Sequence, residues 1–501
     1  MWLILIPFIG GTAAWLTGGR PARWISLAAC TVQFFLALAC WPWAGGAASS
    51  GGIALDQRAN WIPAWGISLH LVMDGLSLIL VLLAGFLGVI AVASSWREIQ
   101  THTGAFHFSL LAVVTGVTGV FLARDLLLFY FFWELMLVPM YFLIGLWGHE
   151  RRIYASVKFF VFTFIGSLLM LAAILGLVFI HQRTSGVLTF DAVELIGTPL
   201  TSTQAAWLML GFFLAFAVKL PAVPFHTWLA DAHTEAPTGG SVLLAGLLLK
   251  TGAYGMLRFA LPLFPVSSHN FSSMAGVLGV AGILYGAVLA FAQADFKRMV
   301  AYSSVSHMGF VLLGIYAGNQ IALEGAVMQI VSHGVSTGAL FFLAGSIQER
   351  TGTRDLGRLG GLWQTAPRLG GMTMLFALAA LGLPGMGNFL GEFLVLLGAF
   401  KAFPGLAVLG SAGFILSTVY ALRLVQESMH GPSPERWQLN DLSARELTAL
   451  GIMATVILWL GLYPQPLFLT ARAPLTSIEH AVPRAIEIGT DVSEPPARRP
   501  W

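Results

Sequence analysis

The sequence predicts an all-α polytopic membrane protein of about 14 transmembrane helices, arranged as two inverted five-helix repeats with two interrupted helices. Composition, a long series of apolar segments and a weak internal repeat point to it. Charged residues make up 10% of the 501 and hydrophobic residues 57%, and the mean hydropathy is +0.80. A typical soluble domain carries about 25% charged residues. This composition excludes a soluble domain on a single anchor. The net charge of +3 comes without a basic cluster, so nucleic acid is not an expected partner and the lipid bilayer is. Cys30 and Cys40 share one apolar segment and fit neither a metal spacing nor a disulfide framework.

The spans follow in order. Residues 2–17, MWLILIPFIGGTAAWL with its initiator, lack a basic leader and a clear cleavage site, so they read as an uncleaved first span. Segments 24–43, 69–95 and 105–123 are plainly apolar. Segment 126–147 opens after Asp125 and carries Glu134; 154–181 carries Lys158. Segment 205–223 contains Lys219, Pro221 and the approach to Pro224, and 238–260 carries Lys250. Segments 273–293, 299–318 with His307 and 322–346 with His333 follow. Segment 369–402 is broken by GLPGMG, which includes Pro384, and then carries Glu392; 406–427 and 446–463 complete the set. All are expected to be helical, because an open backbone cannot lie in lipid. The tail after Pro464, ending SEPPARRPW, reads as extended or disordered.

Lysine and arginine fall unevenly on the two sides. Arg20, Arg23, Arg97, Arg151, Arg152, Lys297, Arg298, Arg350, Arg354, Arg358, Arg368, Arg436 and Arg445 occupy one set of alternate loops. The opposite set holds Arg58, Arg124, Arg183, Arg258 and Lys401. The richer side is the cytoplasmic one by the positive-inside bias, which puts both termini on the opposite side of the membrane.

The repeat pairs RDLLLFYFFWELMLVPMY (124–141) with ADFKRMVAYSSVSHMGFV (294–311), and KLPAVP (219–224) with GLPGMG (382–387). An odd number of spans separates the copies, so they are inverted. Inverted repeats with interrupted helices place a transport site at the interruptions. The expected organisation is helices 1–3 over residues 1–104, a first repeat over 105–260, a second over 273–427, a final helix over 446–463 and a polar tail over 464–501.

The ionisable residues form a layer. At ~1.5 Å of rise per residue, Glu134 lies about 13 Å into its span, Lys219 about 21 Å, Lys250 about 18 Å, and His307 and His333 about 12–17 Å. Glu392 follows the second break. All six sit near half depth in a ~30 Å core, where a charge costs roughly 2.5–3.5 kcal/mol on insertion scales. Lys158 lies close enough to a span end to snorkel. Asp74, Asp125, Asp295 and Glu324 lie near span ends, as caps or interfacial groups do. His226, Asp231 and His233 follow the first break; they line a proton access route or form a solvated turn, and the sequence leaves both open.

The layer suits proton movement. A desolvated lysine gives up its proton more readily, and a carboxylate brought near restores its charge. Glu134 and Lys219 are the natural pair. Pro221 and Pro224 are expected to free the carbonyls of Ala217 and Leu220, leaving acceptors for water at the break. The chain has no Walker A loop, dinucleotide fingerprint or cysteine cluster, so the driving energy must come from an ion gradient or from partner subunits.

Four stretches carry a resemblance: FFWELMLVPMYFLIGLWG (131–148), AFAVKLPAVPFHTWLADAHTEAPTGGSVLLAGLLLKTGAYGMLRF (215–259), DFKRMVAYSSVSHMGFVLLGIY (295–316) and GNFLGEFLVLLGAF (387–400). The chain resembles the antiporter-like membrane subunits of respiratory complex I, the proton-translocating NADH:quinone oxidoreductase, over nearly its whole length. The resemblance implies Glu134 as the glutamate that modulates the lysine, Lys219 as the pumping lysine and Lys250 as the connecting lysine. It implies His307 and His333 as the continuing path and Glu392 as the exit-side group. It also implies a subunit without its own redox cofactor, with FMN, iron–sulfur clusters and quinone in partner subunits. Glutamate at 392 is similar to the M branch; the L and N branches, its expected neighbours, carry lysine there. Ala230 departs from the proline usual in the family. The alternatives are a subunit of a multisubunit cation/proton antiporter or membrane-bound hydrogenase complex, and a quinone- or lipid-binding module without transport.

Overall fold

The computed structural model describes residues 1–44, 53–433 and 435–481. Twelve of its helices are long and apolar enough to cross a membrane, and a thirteenth, shorter apolar helix precedes them. That first helix is α1 (Trp2–Thr17), followed by α2 (Gly19–Ala39). A hairpin of β1 (Ile53–Ile62) and β2 (Ile67–Asp74) comes next. Then come α3 (Gly75–Ser94), α4 (Thr103–Leu122), α5 (Leu126–Trp147) and α6 (Arg152–Ser185). The broken pair α7 (Ser202–Lys219) and α8 (Thr227–Glu235) leads into α9 (Thr238–Leu263). The second half holds α10 (Pro265–Phe291), α11 (Phe296–Ala317) and α12 (Gln320–Thr351). A second broken pair, α13 (Pro367–Ala380) and α14 (Gly387–Ala402), precedes α15 (Pro404–Met429), α16 (Ala444–Leu462) and α17 (Gln465–Glu479).

The fold is thus an all-α polytopic membrane bundle carrying one small hairpin. Helices α9 and α12 are buried throughout their apolar windows and α3, α4 and α11 nearly so, while α2, α15 and α16 face outward. Apolar residues cover both kinds, because a helix that is hydrophobic all round lies in a core or in lipid. The polar residues discriminate: Lys219, Lys250, His307, His333 and Glu392 all face the interior.

Several helix ends shift by a few residues, as that of 273–293, which begins at Pro265; two differences change the kind of structure. Residues 69–74, taken as the start of a span, belong to β2, and the helix begins at Gly75. A short apolar run such as LVM cannot be assigned by periodicity alone. Asp74 ends it, its carboxylate capping α3 at the Ser77 amide 3.0 Å away. The other is the tail. Leu467, Ala471, Pro474, Leu475 and Ile478 make one buried stripe on α17, the three-to-four spacing of an amphipathic helix. This helix lies so close to α3 that a Cβ on Gly75 would sit 1.7 Å from the Thr470 carbonyl oxygen. SEPPARRPW lies outside the described residues.

Asp125 and Asp295 cap α5 and α11 through their side chains, as placed from the sequence. Each cap region is also tied down by one pair of backbone bonds. Leu126 N donates to Phe190 O (2.8 Å) and Ala192 N to Arg124 O (3.1 Å); Phe296 N donates to Arg354 O (3.0 Å) and Leu356 N to Ala294 O (2.8 Å). The breaks match as well. Ala222 N donates to Ala217 O (2.8 Å), and Leu383 N to Leu378 O (3.1 Å), the same five-residue closure in both halves.

Candidate functional site

The first break puts Lys219 at the last position of α7, 1% exposed. A helix C-terminus carries partial negative charge, so ending the helix there favours a cation. Its Nζ lies 5.2 Å from the Trp133 ring centre and 5.7 Å from that of Phe159, within cation–π range. It has no hydrogen-bond partner, and neither does Oε1 of half-buried Glu134, the residue after Trp133 on α5. Buried polar atoms without protein partners mark places for ordered water.

The break itself differs from the expectation in one respect. The Ala217 carbonyl is not freed by Pro221, because the Ala222 amide takes it. The carbonyl of Val218, beside Lys219, accepts from the Trp228 indole at 3.0 Å. The indole therefore joins α7 to α8 across the break. The residues after it are not a solvated turn. His233 is fully buried on α8, stacked on Phe341 at 4.3 Å with both ring nitrogens unpartnered. His226 is buried too. Asp231 takes Lys158 at 2.7 Å and Arg298 at 3.0 Å, joining α6, α8 and α11. Lys158 thus holds a carboxylate instead of simply reaching for the interface.

Lys250 is fully buried on α9, between two wider-wound π segments at Leu244–Leu248 and Met256–Ala260. Such π insertions are frequent at functional sites. Lys250 Nζ donates to Ala245 O at 2.7 Å and lies 2.6 Å from His333 Nδ1 on α12. The His333 and His307 rings are 5.4 Å apart, edge to face. His307 Nδ1 lies 2.6 Å from Glu392 Oε1, and its Nε2 lies 3.2 Å from Tyr420 Oη. Gln329 Nε2 donates to the same Glu392 oxygen at 2.7 Å. Glu392 Oε2 is unpartnered and faces the second break, about where a Cβ on Gly382 would be 3.6 Å away. Pro384 lies in that break, between α13 and α14.

The six residues therefore fall into two groups. Lys250, His333, His307 and Glu392 form one continuous buried run, while Glu134 and Lys219 stand apart on α5 and α7. Gln329 and Tyr420 belong to the run and were not singled out from the sequence. Gln329 is four residues before His333, hence on the same face of α12; a search for ionisable groups passes over it. Lys297 and Arg258 were read as loop residues, but Lys297 is fully buried and Arg258 is half-buried. Lys297 donates to Ala236 O at 3.0 Å, at the end of α8, and Arg258 pairs with Asp74. No cluster of three or more His, Cys, Asp or Glu suited to a metal ion occurs among the described residues.

Residues 123–417 match a family model described as NADH:quinone oxidoreductase/Mrp antiporter, TM. The chain is 52% identical over 494 residues to NADH-quinone oxidoreductase subunit M of Pseudomonas aeruginosa, covering 95% of this chain and 97% of that one. It is 49% identical over 500 residues to the subunit M of Escherichia coli, with the same coverage. A chain of respiratory complex I from Thermus thermophilus superposes with a TM-score of 0.87 at 35% identity, covering 96% of this chain and 99% of that one. A chain of the Mrp complex from Dietzia shares the fold at a TM-score of 0.83 and 21% identity, over 96% and 99% of the two chains. Matched across more than half its length by the family model, and at about half identity to curated relatives almost end to end, the chain belongs to the subunit M family of NADH:quinone oxidoreductases.

Proposed function

We propose that this chain carries protons across a bacterial inner membrane as a subunit of a respiratory NADH:quinone oxidoreductase. The observation that carries the reading is the buried run Lys250–His333–His307–Glu392, in which proton donors and acceptors follow one another at bonding distance except for one 5.4 Å step between imidazoles. A run of this kind passes a proton by successive transfers, the histidines serving as relays. Glu134 and Lys219 form the gate before it. When the carboxylate nears the ammonium, Lys219 holds its proton; when it withdraws, burial drives the proton off. Water at the orphaned Glu134 Oε1 and Lys219 Nζ then links the gate to Lys250.

On this reading the twelve long helices, α1 and the two-piece α13–α14 are fourteen spans. Residues 105–260 and 273–427 are the inverted repeats, preceded by helices 1–3 and followed by a final helix. The matching cap bridges and five-residue closures support the equivalence. Both termini face the periplasm, from the arginine bias. FMN, iron–sulfur clusters and quinone reside in partner subunits, and the antiporter-like L and N subunits are the membrane neighbours. The test is proton pumping in membranes holding the assembled complex. Lys219→Ala and Glu134→Ala should abolish or strongly reduce NADH-driven acidification while the complex still assembles. Normal pumping by assembled Glu134→Ala membranes would remove the gate from this scheme.

A further inference from the structure

An apolar cleft of about 530 Å³ opens on the outer face of the bundle, between α2, α3, α12 and α16, its α12 wall at Val331 and Val335 flanking His333 in sequence. Phe34, Leu83, Phe86, Val335, Ile452 and Val456 are among its walls. Thr31, the one hydroxyl in its lining, is already bonded to the Leu27 carbonyl at 2.7 Å. Water needs two to four polar partners to occupy a cavity, and none is on offer here. On α3 the lining runs from Ile79 to Ile90, about 17 Å along the axis at ~1.5 Å per residue. One leaflet of a ~30 Å hydrocarbon core is about as long.

The end of the cleft marked by Ile90 and Ile452 leads to a basic rim. Arg97 lies seven residues beyond Ile90, and Arg445 seven residues before Ile452. The two guanidinium groups are near enough to repel each other. Among the described residues neither joins an ion pair within 4 Å, although Glu446 in the same helical turn and Glu349 are near Arg445. Arg445 has a buried Nε without a partner and stands in the first turn of α16. That position works against a cation, since the helix N-terminus is itself positive. Trp24 and Trp96 meet edge to face at 5.0 Å beside Arg97, as an interfacial aromatic pair does.

We propose that this cleft is a binding site for one anionic phospholipid, an acyl chain lying between α3 and α16 and the phosphate held by Arg97 and Arg445. An anion there offsets both the arginine repulsion and the unfavourable helix end, and a hydrocarbon chain fills the apolar space.

Native mass spectrometry of the purified full-length chain, with equal phosphatidylglycerol and phosphatidylcholine of matched acyl chains, tests this. Phosphatidylglycerol should be retained about thirtyfold more, since each arginine near the surface contributes ~1 kcal/mol. The double variant R97Q/R445Q should lose the headgroup preference and keep acyl-chain binding. Val456→Trp, which narrows the cleft, should weaken retention of both lipids. Equal retention of the two lipids by the wild type, or a preference that survives R97Q/R445Q, overturns the phosphate site. Unchanged retention in Val456→Trp overturns the cleft. None of these residues touches the proton path, so pumping defects at Lys219 or Glu134 stand or fall separately.

Discussion

Glu392 accepts from Gln329 and meets His307 through one oxygen, Oε1, and leaves Oε2 bare toward the second break. The carboxylate is therefore anchored on one side and open on the other, the arrangement expected of a group that must receive a proton and release it elsewhere. The two supporting bonds are unequal. A bond to a charged group contributes about 1.5–3 kcal/mol and a neutral one about 0.5–1.5 kcal/mol. Gln329→Leu should therefore lower thermal stability of the purified protein more than Tyr420→Phe, which removes only the contact to His307 Nε2. The reverse order would mean that Gln329 does not hold the Glu392 side chain. Of this site, the charged members were legible in the sequence because lysine, histidine and glutamate at mid-span are anomalies in so apolar a chain. Gln329 and Tyr420 were not. Neither is costly enough in a helix to attract notice, and only the crossing of α12 with α14 and of α15 with α11 gives them a role. Lys297 and Arg258 misled in the other direction. Their positions near span ends read as loops, but their partners lie inside the protein at Ala236 and Asp74.

The broken helices carry the geometry at the next scale. Prolines announced both breaks, and the lysine before the first one stood out in the sequence because it could not reach an interface. What closes each break was not legible, since it depends on which amide finds which carbonyl in space. The Ala222–Ala217 bond and the Trp228 indole on Val218 hold the end of α7 in place under Lys219. Trp228→Phe removes the donor and, in a fully buried place, one ring of the indole. It should destabilise the protein by at least about 1 kcal/mol, the net worth of one such hydrogen bond, with a cavity cost added, read as a lower unfolding temperature; an unchanged temperature would assign the closure to the backbone alone. Helix α9 approaches the same break through Gly252. A Cβ there would fall 2.6 Å from Phe216 O and 2.9 Å from Leu220 N. These are backbone atoms that cannot turn aside, so Gly252→Ala must push α9 away from α7. Overpacking of this kind costs about 1–3 kcal/mol. It also separates Lys219 from Lys250. Pumping should therefore fall in assembled Gly252→Ala complexes by far more than the loss in stability accounts for. Equal, small losses in both would mean that the spacing of the two lysines is not what matters.

Across the whole molecule, the twelve long apolar helices were readable in order because lipid forces each to be helical and about twenty residues long. The hairpin at 53–74 and helix α17 were not, because the membrane imposes no such rule on them. Both are instead fixed by contacts with distant parts of the chain, such as His70 with Asp191 at 2.6 Å and Glu479 with the Gln320 amide at 3.1 Å. The last span is held in the same manner. Arg350, in the last turn of α12, meets Glu446 of α16 with two nitrogens, at 3.1 and 2.8 Å. Its remaining contacts go to the Ser346, Asn440 and Asp441 carbonyls. Glu446 is only 2% exposed and also caps its own helix through Ser443. Because α12 carries His333 near its middle, this pair ties the final span to the helix at the centre of the proposed proton path. Removing one partner of a buried ion pair leaves the other charge stranded and costs about 3–5 kcal/mol, more than the pair itself is worth. Glu446→Ala should accordingly destabilise strongly by thermal unfolding. Arg350→Met combined with Glu446→Leu should be milder than the sum of the two single changes, because no charge is then left buried and residues in contact are not additive. Strict additivity in that double-mutant cycle would place the two side chains apart in the membrane-embedded protein and detach α16 from α12.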